Sequence, residues 1–264
     1  MNNSDYQRLT AISSHWLKGF IDSGPAECYR QHLEPQPPST ESPSSSLQLG
    51  TLVHCLALTK NLLDREFIVA DYERRSKTGK ARYAELMATG LTLIKPDEFE
   101  RAKAMVDALK AHPDARKLLR GGKKERVIIQ PRSGLLPLKA RLDVHQEARR
   151  QVIELKTIYS LHHTLDIAMN RYRYLLSAAF YQHLVKALSV VFIFVQSAEP
   201  HEVMVLELSR QQLQSGSAQW RTALAQFDEC WLNNHWPEPN RVILDRIPLI
   251  RPPRFDLPVG ELAL

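Results

Sequence analysis

The stretch LPLKARLDVHQEARRQVIELKT, residues 136–157, carries a strand–turn–strand pattern. Leu136–Val144 and Gln151–Lys156 are short runs of apolar and β-branched residues, separated by the charged turn Gln146–Arg150. A similar run, Arg126–Gln130, precedes them across Pro131–Gly134. Short strands joined by tight turns in this way predict a meander. Strand side chains alternate between faces, so Glu154 and Lys156 share one face while Leu155 points into the core. Asp143 stands eleven residues before Glu154 and reaches the same face if the hairpin pairs the two strands in register. Two carboxylates and one ammonium then sit together. With a backbone carbonyl such as that of Leu155, the two carboxylates make a hard oxygen site for Mg2+ or Mn2+. A metal there draws a phosphate oxygen and acidifies a water, and Lys156 can position that water or stabilise transition-state charge. Yet E-x-K on a strand is also common as an exposed ion pair worth about 0–1 kcal/mol. The trio alone does not carry a function.

Upstream, a helix is expected over roughly Ser14–Ile21, with Trp16, Leu17 and Phe20 apolar. Glu34–Ser46 is dense in Pro and Ser and reads as a surface loop. An apolar helix runs from Leu47 to about Leu58, and Tyr72–Lys80 is a basic loop or helix start. A helix near Asp97–His112 carries acids in its first turn and an apolar stripe of Phe99, Ala102, Val106 and Leu109. Beyond the meander, Ala168, Tyr172, Leu175 and Ala179 predict one long helix from about Thr164 to Ala187. Strands Val190–Val195 and Val203–Leu208 follow, joined by a turn containing Pro200. A last helix, about Ser209–Asn234, has Ser209 as its N-cap. The expected organisation is an N-terminal helix and loop (1–46), an α/β core with a mixed sheet (47–236) and a proline-rich tail (237–264) that wraps the surface.

The 264 residues are 44% hydrophobic and 24% charged, ordinary for a globular chain, and the net charge of +6 suits a polyanionic partner without requiring one. Cys28, Cys55 and Cys230 have no zinc spacing and are too few for an all-cysteine iron–sulfur cluster; they read as reduced thiols of a cytoplasmic protein. Met1–Thr10 has no apolar core of a secretory signal, and the apolar run Val190–Val195 is too short to span a bilayer, so no membrane partner is expected.

Further pieces stand in a fixed order. They are Gly50-Thr51-Leu52-Val53-His54, the basic stretch Arg75-Ser76-Lys77-Thr78-Gly79-Lys80, the helix ending near His112-Pro113, and Glu125. Arg141-x-Asp143, Glu154-Leu155-Lys156-Thr157 and Tyr174-x-x-Ser177-x-Ala179-x-Tyr181 complete the set. Together they resemble the RecE-type (exonuclease VIII-like) branch of the PD-(D/E)xK nucleases over nearly the whole chain. The resemblance implies a restriction-endonuclease-like core and a Mg2+-dependent exonuclease acting on the ends of linear duplex DNA, 5′ to 3′. It implies a recombination role in a phage or prophage setting, a single-strand annealing protein as partner, and a homo-oligomer. It also implies roles: His54, Asp143 and Glu154 on the metal, beside the Leu155 carbonyl already read from the strand; Lys156 on the attacking water; Glu125 supporting the site; Tyr174 lining it. Arg75, Lys77, Lys80, Arg141, Thr157 and Ser177 would contact DNA. Three positions depart from the pattern: Ser177 stands where Gln is usual, Glu154 where Asp is frequent, and Leu142 where Pro often precedes the acid. The alternatives are an endonuclease or single-strand nuclease of the same fold, or a catalytically weak DNA-end-binding protein.

Overall fold

The computed structural model describes residues 3–35, 44–72 and 75–238. The chain opens with α1 (Asn3–Arg8), α2 (Ser14–Ser23), α3 (Pro25–His32) and α4 (Ser45–Leu58). A single turn, α5 (Leu63–Glu66), leads to β1 (Phe67–Val69), α6 (Lys77–Ala88), β2 (Thr92–Ile94), α7 (Pro96–Ala111) and α8 (Pro113–Arg120). Then come β3 (Lys123–Arg132), β4 (Leu135–Gln146) and β5 (Gln151–Ile158). α9 (Leu161–Arg171), α10 (Tyr174–Val185), β6 (Ser189–Gln196), β7 (Val203–Glu207) and α11 (Arg210–Asn233) complete it.

β3 to β7 form one five-stranded sheet in sequence order. The meander β3–β4–β5 is antiparallel, β5 and β6 are parallel, and β7 returns antiparallel to β6. A parallel step needs a long crossover, which α9 and α10 supply. The sheet separates two apolar layers. Val190, Phe192 and Phe194 of β6 pack with Leu17, Phe20, Leu176, Phe180, Trp220 and Phe227 from α2, α10 and α11. Val191, Ile193 and Val195 pack with Leu52, Val53, Met105, Leu109 and Leu119 from α4, α7 and α8. β6 is thus buried on both faces, which explains why its sequence is continuously apolar instead of alternating. Each such side chain contributes about 1.5–3 kcal/mol by leaving water. The expected α/β core, a mixed sheet flanked by helices, is the architecture observed.

Local chemistry sets the helix starts. The Trp16 N–H donates to the N-cap hydroxyl of Ser13 at 3.3 Å, and the Leu47 N–H to that of Ser44 at 3.4 Å. Ser209 and Gln212 cap each other reciprocally at the start of α11, as the sequence predicts for Ser209. The N-cap Ser76 makes Lys77 the start of a helix, so the basic stretch resolves into α6.

The single helix expected over Thr164–Ala187 is two helices. It breaks at Arg173, which takes the left-handed conformation φ 45°, ψ 51°. Apolar periodicity continues across the break and hides it. The parallel pair β1–β2, three residues per strand, and the helices α3, α6 and α8 are too short or too polar to be read from a pattern. Residues 36–43 of the Pro/Ser stretch and 239–264 of the tail lie outside the described residues; where the described chain ends, Glu238 pairs with Arg30 at 2.7 Å.

α10 and α11 meet at Gly216, where an added Cβ would lie 2.0 Å from the Leu175 carbonyl oxygen. That atom is backbone and cannot turn aside. Gly216→Ala is expected to destabilise the fold by about 1–3 kcal/mol or more, against the roughly 1 kcal/mol that alanine usually adds inside a helix. Urea denaturation measures this; an unchanged midpoint contradicts the close packing.

Candidate active site

The site forms where the ladder between β4 and β5 opens. The two strands pair at Gln146↔Gln151, His145↔Val152 and Val144↔Ile153. The next pair would be Asp143 and Glu154, and there side chains replace backbone partners. The Leu155 N–H donates to Asp143 Oδ2 at 2.8 Å, and the Asp143 N–H donates to Glu154 Oε1 at 3.5 Å. β5 meanwhile stays paired with β6 to its end, so the opening is a notch between two well-held strands.

On the other side of β4, the register with β3 steps from Arg126↔Leu142 to Lys124↔Val144, which leaves Glu125 opposite Asp143. Glu125 has φ 48°, a left-handed conformation that takes it out of the regular ladder. Such a conformation costs a non-glycine residue on the order of 1–3 kcal/mol and clusters at functional sites. The Arg141 Nε holds the Glu125 carboxylate at 2.8 Å. α4 contributes His54. Gly50, one turn earlier, lets this helix close on β5: a Cβ there would stand 3.1 Å from Thr157 Oγ1.

His54, Glu125 and Asp143 thus converge, each with a ligand atom within 4.8 Å of the others. His54 Nδ1 lies 3.5 Å from Asp143 Oδ1. Lys156 Nζ donates to Glu154 Oε2 at 2.9 Å and lies 3.5 Å from Asp143 Oδ2. Glu154 is buried beside this trio, its carboxylate shared between Lys156 and the Asp143 amide. Leu155 enters through its amide, while its fully buried side chain anchors the strand.

The electrostatics divide the carboxylates. Burial alone would raise Asp143, yet the Lys156 ammonium, His54 and the Leu155 N–H hold its carboxyl well below the ordinary range. Glu154, buried and facing the Asp143 charge, is pushed up to about 7 despite Lys156. Burial and Asp143 also raise Glu125. Burial opposes charge on Lys156 and His54, but Asp143 with Glu154 in one case, and Asp143 in the other, raise both. The imidazole nitrogen and two carboxylates form a donor set that fits a divalent cation, with the nitrogen more at home on Mn2+ than on Mg2+.

The other sequence-derived residues are placed as follows. Arg141 is turned to Glu125 and to the ring of Tyr6, 5.7 Å away, which makes it a support of the cluster. Thr157 and Tyr174 line a cleft beside the site. Arg75, Lys77 and Lys80 are exposed at the start of α6, an element separate from those that build the cluster. Ser177 is buried, and its hydroxyl donates to the Tyr174 carbonyl at 3.1 Å within its own helix. That leaves it unavailable to a strand, which corrects its expected role.

Lys18 was not singled out from the sequence. Its Nζ lies 5.6 Å from the Tyr174 ring centre and has no salt-bridge partner among the described residues. Burial and the nearby Lys156 lower its ammonium to about 7. A signal existed: Ser14, Lys18 and Asp22 recur every four residues, a polar stripe on an otherwise apolar helix. Ser14 at its head donates to the Tyr181 hydroxyl at 3.1 Å, and Tyr181 in turn feels the Glu154 charge.

Residues 13–241 match a PDDEXK-like domain of unknown function, DUF3799. The chain belongs to this family. No curated protein matches it. The PDDEXK-like description agrees with the PD-(D/E)xK resemblance read from the sequence. Among solved structures, a candidate exonuclease from Eubacterium rectale superimposes with a TM-score of 0.60 at 13% identity, over 94% of this chain and 99% of that one. A phage-related exonuclease from Haemophilus somnus 129PT matches at 0.36 and 12% identity, over 60% and 84%. The first likeness establishes the fold; the second is too distant to add to it. No helix among the described residues is long and apolar enough to cross a membrane.

Proposed function

We propose that this PDDEXK-like chain is a divalent-metal-dependent exonuclease acting on linear duplex DNA. The observation that carries this reading is the convergence of His54, Glu125 and Asp143 beside the Glu154–Lys156 pair at the ladder opening. His54, Glu125 and Asp143 would hold the cation, with Mg2+ the expected ion and Mn2+ able to replace it; the Leu155 carbonyl is the remaining neutral donor of the expected set. The cation supplies positive charge that draws a phosphate oxygen and acidifies a water. Lys156, kept protonated by two carboxylates, orients that water and stabilises charge building on the phosphate. Glu154, pushed up to about 7, is matched to taking the water's proton near neutral pH. Arg141 keeps Glu125 in place, and Lys18, without a salt-bridge partner among the described residues, would pair with a neighbouring backbone phosphate, whose charge favours its protonated form.

The description of the Eubacterium rectale protein supports an exonuclease over an endonuclease. The 5′ to 3′ direction, a role in recombination, an annealing-protein partner, a cytoplasmic setting and a homo-oligomer rest on the family resemblance. With Mg2+, the protein is expected to shorten end-labelled linear duplex and leave covalently closed circular DNA intact. Cleavage of the closed circle at a matching rate means an endonuclease instead.

Metal binding is linked to protons. Glu154, Glu125 and His54 all have raised values, so they carry protons more readily than free side chains do, while Asp143 stays ionised. A cation favours the deprotonated forms. Apparent Mn2+ affinity is therefore expected to fall as pH drops, because protons on Glu125 and His54 must be displaced by the cation, by about tenfold per unit for each proton displaced. Calorimetric titrations at pH 6, 7 and 8, in two buffers of different ionisation heat, measure it. A flat affinity with no proton release contradicts the assignment.

A further inference from the structure

In one continuous helix, residues two apart point roughly 200° from each other. The break at Arg173 brings the rings of Tyr172 and Tyr174 to 5.7 Å between centres instead. A left-handed arginine persists only where its surroundings hold it. Here the guanidinium is fastened to Asp22 Oδ1, at 2.8 Å from Nε and 2.7 Å from the second amino group.

Both tyrosines line a cleft of about 520 Å³. Tyr159, Ile167 and Tyr172, also in its wall, are 70%, 60% and 53% exposed. Large apolar side chains grouped at such exposure mark a binding surface. Two arginines and one acid, Glu98, complete the charge of the wall. Arg101 gives its guanidinium to the Ser197 carbonyl at 2.7–2.8 Å, whereas Arg171 has no partner among the described residues. The cleft lies at the carboxyl ends of the parallel strands β5 and β6, where open α/β sheets bind their ligands. Its wall includes Thr157, the residue after Lys156, so it opens next to the proposed centre.

We propose that this cleft binds an unpaired DNA strand, with bases stacked on Tyr159 and Tyr172 and a phosphate on Arg171. The inference rests on the reading of the chain as a DNA nuclease. Exposed tyrosine rings stack on base faces that a duplex has already covered, so the occupant is single-stranded. Arg171, without a partner among the described residues, supplies the charge complement that a purely apolar partner would not need. The strand next to Lys156 is then melted, and ends carrying an unpaired strand are the preferred substrate.

The test is fluorescence anisotropy of a labelled single-stranded oligonucleotide with the full chain, in chelator to prevent hydrolysis. Tyr159→Ala and Tyr172→Ala should each bind roughly fivefold or more weakly. Arg171→Ala should lower the slope of log affinity against log salt by about 0.7. Tyr172→Phe should bind as the wild type does, and blunt duplex should bind all variants within about twofold. No binding of the oligonucleotide by the wild type overturns the proposal. So do tyrosine variants that bind it unchanged, or that lose duplex and single strand alike. Hydrolysis of end-labelled duplex by the same wild-type protein, with metal restored, is read separately. Hydrolysis without tyrosine-dependent binding refutes the cleft and keeps the nuclease; the converse keeps the cleft and refutes the nuclease.

Discussion

Lys156→Ala is expected to hydrolyse linear duplex DNA at least about 10²–10³-fold more slowly than the wild type, the loss typical of removing one charge-stabilising donor from an active site. Lys156 is the ammonium between the two buried carboxylates, 2.9 Å from Glu154 and 3.5 Å from Asp143. It has no backbone role, since β5 is held to β6 along its length. The fold should survive, as circular dichroism can verify. Without its cation, the metal-free variant should be less stable than the wild type near pH 8, where Glu154 and Asp143 are both ionised, and a divalent cation should restore much of the difference. A variant that turns over at the wild-type rate places the chemistry elsewhere.

Asp143 separates a structural part from a chemical one. Its Oδ2 accepts the Leu155 N–H in the place of a ladder bond, and its Oδ1 faces His54. Asp143→Ala removes both and leaves a buried amide without a partner, a loss of about 1–3 kcal/mol. Asp143→Asn keeps an acceptor for that amide and removes the charge that the cation needs. Both variants are expected to lose hydrolysis as completely as Lys156→Ala and to bind Mn2+ far more weakly. Only Asp143→Ala should unfold at clearly lower urea. Equal stability of the two variants contradicts the proposed ladder role, and retained activity in Asp143→Asn contradicts the metal role.

The sheet was legible because its strands obey simple rules. β3, β4 and β5 are apolar runs cut by charged turns, and β6 is apolar on both faces because both are covered. Glu154 and Lys156 were placed on one face by period alone, and the ion pair between them shows that face. Features that depend on backbone exceptions were hidden. Nothing in its residue type announces that Glu125 adopts φ 48° and joins His54 and Asp143, so the sequence could mark it only as support. Arg173 breaks a helix without glycine or proline, the residues by which breaks are usually read. Lys18 and Arg141 depend on tertiary partners, Tyr174 for one and Glu125 for the other. The DNA contact expected of Ser177 does not fit for a simpler reason: a short hydroxyl in a buried helix turns to its own backbone.

The cluster at Asp143 is expected to act on DNA through a divalent cation. The most direct measurement is a single-turnover time course on end-labelled linear duplex, with chelator-stripped protein, before and after Mg2+ or Mn2+ is added. The predicted result is an intact label without metal and progressive shortening once it is present. Shortening that ignores the chelator, or no shortening with either cation, contradicts the claim.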